Sequence, residues 1–158
     1  MREELVIVLH NIRSLHNVGS VLRTADGAGV AKVYMTGYTP SPTDEMGRVR
    51  KEIAKTALGA ENSVAWECVA DISRLITKLK KEGFSIVALE QSDDAKDYRE
   101  FYPQFPVALI AGNEVRGLSG ALLEKVDASI VLPMRGKKES LNVSVAVGVA
   151  VYKLTDTR

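Results

Sequence analysis

Leu5 to Leu9 is apolar at every position, and so is Val107 to Ala111. A strand with no polar alternation cannot keep one face in water. It must lie in a sheet covered on both sides, which points to parallel strands with helices packed above and below. Shorter runs repeat the device at Lys32 to Thr36, Val64 to Val69, Phe84 to Leu89 and Ser129 to Leu132. Helical spacing fills the gaps between them. Val18, Val21, Leu22, Ala25 and Ala28 form one apolar stripe, with Asn17 as its expected N-cap. Val49, Ile53 and Ala57 form a second, stopped by Gly59. Ile72, Leu75, Ile76 and Leu79 form a third, opened by Asp71 and ended at Gly83. Ser119 to Lys125 reads as a short helix. Val143 to Leu154 is apolar on nearly every side, so burial on more than one face is expected. Pro40, Pro42 and Asp44 mark a loop, and the acidic, aromatic stretch from Asp93 to Phe105 is expected to hold a helical turn or two. The alternation predicts an α/β fold, a mostly parallel six-stranded sheet with helices on both faces, in a single domain over residues 1–158.

The 158 residues suffice for one substantial core, with 46% hydrophobic and 26% charged residues. No apolar run reaches the roughly 18 residues of a membrane helix, so no membrane association is expected. Met1 leads almost directly into the first strand pattern, so no signal peptide is expected. Cys68 is the only cysteine, which excludes an intramolecular disulfide and a cysteine-rich zinc site and fits a cytoplasmic location. The net charge is only +1, but the cations are clustered. Arg48, Arg50, Lys51 and Lys55 crowd one segment, and Arg135, Lys137 and Lys138 another. Lys78, Lys80 and Lys81 read as a solvated helix face.

Three connections after predicted strands carry polar residues that a plain core turn does not need. They are NIRSLHNVGSVLR over 11–23, GNEVRGLS over 112–119 and LPMRGKKESLNVS over 132–144. Several chemistries are missing from them. There is no G-x-G-x-x-G after the first strand and no G-x-x-x-x-G-K-[ST], so dinucleotide and triphosphate cradles are unsupported. His10 and His16 have no third ligand at metal spacing, so no metal is expected. No Ser-His-Asp arrangement stands out. Arg23 lies about 140° round the helix from Val18, off the core stripe. Read alone, it is a solvent-facing arginine. Asn17 and Ser140 or Asn142 read alone as helix caps, and Glu114 as a surface loop residue.

In this order and spacing the three segments resemble the motifs of the SpoU/TrmH branch of the SPOUT RNA methyltransferases. The resemblance covers about residues 5–154. It implies a C-terminal trefoil knot, although knots are rare by general rules. It also implies S-adenosylmethionine as cofactor, RNA (tRNA or rRNA) as substrate and a homodimer that pairs the last helix. Arg23 matches the catalytic arginine that activates the ribose 2′-hydroxyl. Its guanidinium is better suited to gripping phosphate and stabilising developing alkoxide charge than to acting as a base. Asn17, Glu114, Ser140 and Asn142 match the other catalytic positions. Leu89, Gly112, Asn113, Leu132, Met134, Ser140 and Leu141 match the cofactor pocket, with Gly112 and Gly117 expected to let the backbone turn and approach a ligand. Arg13, Arg48, Arg50, Lys51, Arg116, Arg135, Lys137 and Lys138 are the expected RNA contacts. The resemblance is to minimal members without an N-terminal RNA-binding domain. Two rivals keep the fold: a base-nitrogen methyltransferase, and an RNA-binding assembly factor without catalysis. The asparagine–arginine pair of the first motif argues against the former, and the occupied polar positions against the latter.

Overall fold

A computed structural model describes residues 3–156. Met1 and Arg2, where the leader expectation begins, and Thr157 and Arg158 lie outside the described residues. The strands are β1 (Leu5–His10), β2 (Lys32–Thr36), β3 (Trp66–Val69), β4 (Ser85–Leu89), β5 (Lys96–Asp97), β6 (Val107–Ala111) and β7 (Ala128–Val131). The helices are α1 (Leu15–Ala28), α2 (Lys51–Ala57), α3 (Ala60–Ser63), α4 (Ile72–Lys81), α5 (Gly120–Leu123) and α6 (Val143–Thr155). The strands form one sheet in the order β3-β2-β1-β6-β4-β7-β5, and neighbouring strands pair in parallel throughout.

The sheet has seven strands, not the six expected. The addition is β5, an edge pairing of Lys96 with Ile130 and Asp97 with Val131. Two polar residues carry no apolar pattern, so nothing in the sequence separates them from loop.

The continuous apolar runs are explained by two cores, one on each face. Leu5, Ile7 and Leu9 of β1 join Val107, Leu109 and Ala111 of β6 beneath α1 and α6. Val6 and Val8 join Ala108, Ile110, Ile86 and Ala88 against α4, with Leu122 of α5. Successive side chains point to opposite faces, and both faces are dry.

Several helix boundaries differ from expectation. Ser14, not Asn17, caps α1; its side chain accepts from Asn17 N at 3.2 Å. Val49 is exposed and lies before α2, bridging to Thr43, so it does not share that helix's buried stripe. Leu58 in the left-handed region ends α2, and Gly59 precedes α3. Helix α6 buries Val147, Ala150, Val151 and Leu154, but leaves Val145 51% and Tyr152 49% exposed in the single chain.

The sheet grows outward from the central β1–β6 pair, through β2 to β3 and through β4 to β5. Ligands of open parallel sheets sit beyond the carboxyl ends of strands at such a divergence. The loops that follow β1 and β6 are the first two polar segments.

Candidate active site

Because α1 starts at Leu15, Asn17 falls inside its first turn and its side chain is free of capping. It donates through Nδ2 to Glu114 Oε1 at 3.3 Å. Glu114 leaves the end of β6 and reaches back over the start of α1. Arg13 N donates to both of its carboxylate oxygens at 3.1 Å, and Ser14 N to Oε1 at 3.1 Å. Burial works to raise the pKa of Glu114. The backbone N–H groups of Ser14, Arg13 and Glu114 itself, with the Asn17 amide, outweigh it, and the net shift is downward. Glu114 is thus held as an anion that orients donors, and is a weak base.

The third segment closes on the same point. Asn142 caps α6, its Oδ1 accepting from Ser144 N at 2.9 Å. Its Nδ2 donates to Asn17 Oδ1 at 3.2 Å. The three polar segments therefore meet through Glu114, Asn17 and Asn142.

Asn113 is buried, and its amide is fully used. Nδ2 donates to Asn11 O at 3.0 Å and to the Tyr38 hydroxyl at 2.8 Å. Oδ1 accepts from Val115 N at 2.9 Å and Arg116 N at 2.8 Å, which folds the loop after β6. The glycines here also serve the loop's own packing. A Cβ on Gly112 would lie 2.6 Å from Leu118 Cδ2 and 2.8 Å from the Gly117 carbonyl carbon. Gly117 has φ +64, and a Cβ there would lie 2.2 Å from Glu90 Oε2. Glu90 Oε2 accepts from Leu118 N at 2.6 Å, which fixes the far side of the loop.

Beside this cluster is a cavity of about 310 Å³ between the loops after β4, β6 and β7 and the start of α6. Leu89, Gly112, Asn113, Leu132, Ser140 and Leu141 line it, as the resemblance implies. Met134 is not among the lining residues. Arg116, expected as an RNA contact, is exposed and also lines the cavity, as does Glu114. Glu90, Gln91 and Glu139 are lining residues that sequence reasoning missed. The signal for Glu90 was close to that for Glu114, a carboxylate in the loop after a buried strand. The Gln91 amide donates to the Glu139 carbonyl, tying the loop after β4 to the third segment.

Arg23 is exposed on α1, and its side chain makes no hydrogen bond or ion pair among the described residues. Of the other cations, Arg48 is engaged with Asp44 at 2.9 Å. Lys51, Arg135, Lys137 and Lys138 are exposed. Arg13 and Arg50 line a second cleft beside the first, with Tyr38. His10 is bonded through Nδ1 to the Thr36 hydroxyl at 2.9 Å, and burial lowers its pKa.

Taken together, the cluster positions groups rather than exchanging protons. It supplies an anion, two oriented amides and a neighbouring cavity at the strand ends. The comparisons with known proteins cover nearly the whole chain. The SpoU rRNA Methylase family profile matches residues 4–152. A protein of Staphylococcus haemolyticus named for the TrmH family of tRNA/rRNA methyltransferases is 34% identical over 94% of this chain and 57% of its own. This chain therefore spans little more than half the length of that relative. The tRNA (guanosine(18)-2′-O)-methyltransferase of Aquifex aeolicus is 32% identical over 96% of this chain and 69% of its own. The AdoMet-bound rRNA methyltransferase of Sinorhizobium meliloti superposes with a TM-score of 0.87 at 27% identity, over 97% of this chain and 56% of that one. On the profile match and on the Aquifex relative, the chain belongs to the SpoU rRNA methylase family.

Proposed function

We propose that this chain is an S-adenosylmethionine-dependent RNA ribose 2′-O-methyltransferase that acts on tRNA or rRNA in the cytoplasm. One observation carries the reading: Glu114, Asn17 and Asn142 join the loops after β1 and β6 and the start of α6 beside a strand-end cavity. The named activity of the Aquifex relative supports ribose as the acceptor. The AdoMet-bound Sinorhizobium structure supports the cofactor.

The cavity fits that cofactor. Leu89, Leu132, Leu141 and Val143 offer apolar walls for an adenine, and the strand-end backbone offers donors and acceptors at its edge. Glu90 and Glu139 are carboxylates on the lining, suited to hydroxyl and ammonium groups. The cofactor supplies an electrophilic methyl group and needs no metal to activate it. The protein's share is alignment and charge. Glu114 fixes the Asn17 amide, and Asn17 with Asn142 presents a polar edge at the cavity mouth. Arg23, whose side chain has no partner among the described residues, grips RNA phosphate and stabilises the ribose oxygen as its proton passes to solvent water. Ser140 lines the cavity between the two sets of groups.

Two further parts belong to the same reading. The C-terminal third is knotted, supported by the return of Asn142 to Asn17 and of the third segment to Gln91. The protein is a homodimer, supported by the apolar outer face of α6 with Val145, Val149 and Tyr152 exposed. The test is incubation with methyl-labelled cofactor and unmodified tRNA and rRNA, followed by nuclease digestion and mass spectrometry. Labelled 2′-O-methylnucleosides are expected. Label on a base nitrogen, or no cofactor binding at all, overturns the reading.

A further inference from the structure

The second cleft, about 530 Å³, opens beyond the ends of β1 and β2. Arg13, Leu15, Tyr38, Thr39, Pro40 and Arg50 are among the residues that line it, and no carboxylate is. Its walls are held by polar bonds that the core does not require. Thr39 is buried; its hydroxyl donates to Leu9 O at 2.7 Å and accepts from Ile12 N at 3.0 Å. Asn11 sits at φ 55, a left-handed conformation that costs a non-glycine residue energy. That conformation lets its Oδ1 accept from Tyr38 N at 3.1 Å, against Gly37. Tyr38 is 58% exposed, yet its hydroxyl is fixed by Asn113. An aromatic side chain is thus held rigid at the cleft wall with much of its surface in water.

The charge is just as specific. Arg50 Nε is buried with no hydrogen-bond partner, the only such side-chain atom among the described residues. A buried N–H of a cation without an acceptor is costly unless a ligand supplies one. Asp44, the nearby carboxylate, is committed to Arg48 and to the N–H groups of Met46 and Arg48. The Arg13 side chain has no partner among the described residues either, while its backbone N–H is bound by Glu114. The cleft therefore lies one residue from the candidate active site and shares Tyr38–Asn113 as a wall with it.

We infer that the cleft of Arg13, Tyr38 and Arg50 is a subsite for one nucleotide unit of the RNA strand, its phosphate between the two guanidinium groups and its base on the Tyr38 ring. Guanidinium forks match phosphate oxygens, and a rigid aromatic face takes any base by stacking. The inference rests on the RNA reading above and adds where a nucleotide flanking the methylated ribose is held. It also gives Tyr38 a role and separates Arg50 from the surface cations around it.

The test is NMR titration of the isotope-labelled protein with uridine 5′-monophosphate, with uridine and with inorganic phosphate. The nucleotide is expected to move the Arg50 Nε–H and Tyr38 signals and to bind at least tenfold more tightly than either part. Arg13→Gln, an exposed change that leaves the fold intact, is expected to weaken it about tenfold. Tyr38→Phe is expected to retain most of the binding, and Tyr38→Leu to lose it. An unmoved Arg50 Nε–H, equal binding of phosphate and nucleotide, or an unchanged affinity in Arg13→Gln overturns the inference. Binding of S-adenosylhomocysteine is measured separately on the same sample. Its failure tells against the methyltransferase reading and leaves the cleft's result standing.

Discussion

Asn142 Nδ2 donates to Asn17 Oδ1 at 3.2 Å, across 125 positions of sequence. The same side chain caps α6 through its oxygen, so its two ends do different work. An aspartate keeps the capping oxygen and loses the donor. Asn142→Asp is therefore expected to stay within about 0.5 kcal/mol of wild type in denaturant unfolding, since Asp and Asn cap equally well. Its methyl transfer is expected to fall at least tenfold. Asn142→Ala loses both, with about 1 kcal/mol of stability. Wild-type transfer by Asn142→Asp would remove the amide bridge from the mechanism.

Glu114 gives a pH signature. Its folded-state pKa lies below the ordinary 4.5. The stability it contributes is fully present above the unfolded value and is lost as pH falls through the folded one. Glu114→Gln is expected to be less stable at neutral pH, because an amide group then faces N–H donors. It should also show a shallower loss of stability on acidification. Parallel acid limbs for the two proteins, followed by circular dichroism, would show that the carboxylate is not held as an anion.

The alternation of apolar runs made the sheet, its parallel sense and its covered faces legible, because Leu5–Leu9 and Val107–Ala111 admit no wet side. The polar positions of the site were legible only through the family's motifs, since Asn17 and Asn142 read alone as caps and Glu114 as a surface loop residue. What could not be read was which group each side chain would meet. Ser14 and Asn17 are both good caps, and only the chain's path selects Ser14 and releases Asn17 to Glu114. Met134 is near the cavity's lining residues in sequence but is not one of them. Gly112 looked like room for a ligand, and its close approach to Leu118 could not be read. Tyr38 gave no signal, because its meaning depends on Asn113, which is 75 positions away.

Gly112 now predicts a different defect from a blocked cavity. A valine there presses on Leu118 and on the Gly117 backbone, and backbone cannot swing aside. Gly112→Val is expected to cost about 1–3 kcal/mol as overpacking. It should also loosen the loop that carries Asn113 and Glu114. Cofactor affinity and stability should fall together. A loss of affinity at unchanged stability would mean that the side chain reaches into the cavity after all.

Lys137 and Lys138 are exposed on the third segment, just before Glu139, which lines the cavity. If each touches a phosphate of single-stranded RNA, removing either one lowers the slope of log affinity against log salt by about 0.7. Replacing both with glutamine should therefore flatten the slope measurably and leave cofactor affinity intact. An unchanged slope in binding assays from low to physiological salt would assign both lysines to the solvated surface.

Arg23 gives the most exposed prediction. It stands off the buried stripe of α1 formed by Val18, Val21, Leu22 and Ala25, and no described residue bonds to its side chain. Its removal should cost the fold almost nothing, within the roughly 0.5 kcal/mol usual for a surface change. Arg23→Ala should also keep its affinity for S-adenosylmethionine, because the residue does not line the cavity. Methyl transfer to RNA should nevertheless fall by orders of magnitude. Arg23→Lys should fail almost as badly, since a point charge does not reproduce a planar fork on phosphate and alkoxide oxygens. The pairing of intact fold and cofactor binding with lost transfer is what separates a catalytic arginine from a structural one. Near wild-type transfer by Arg23→Ala would leave Glu114, Asn17 and Asn142 as a structural clasp and remove the ribose-activating step from the mechanism.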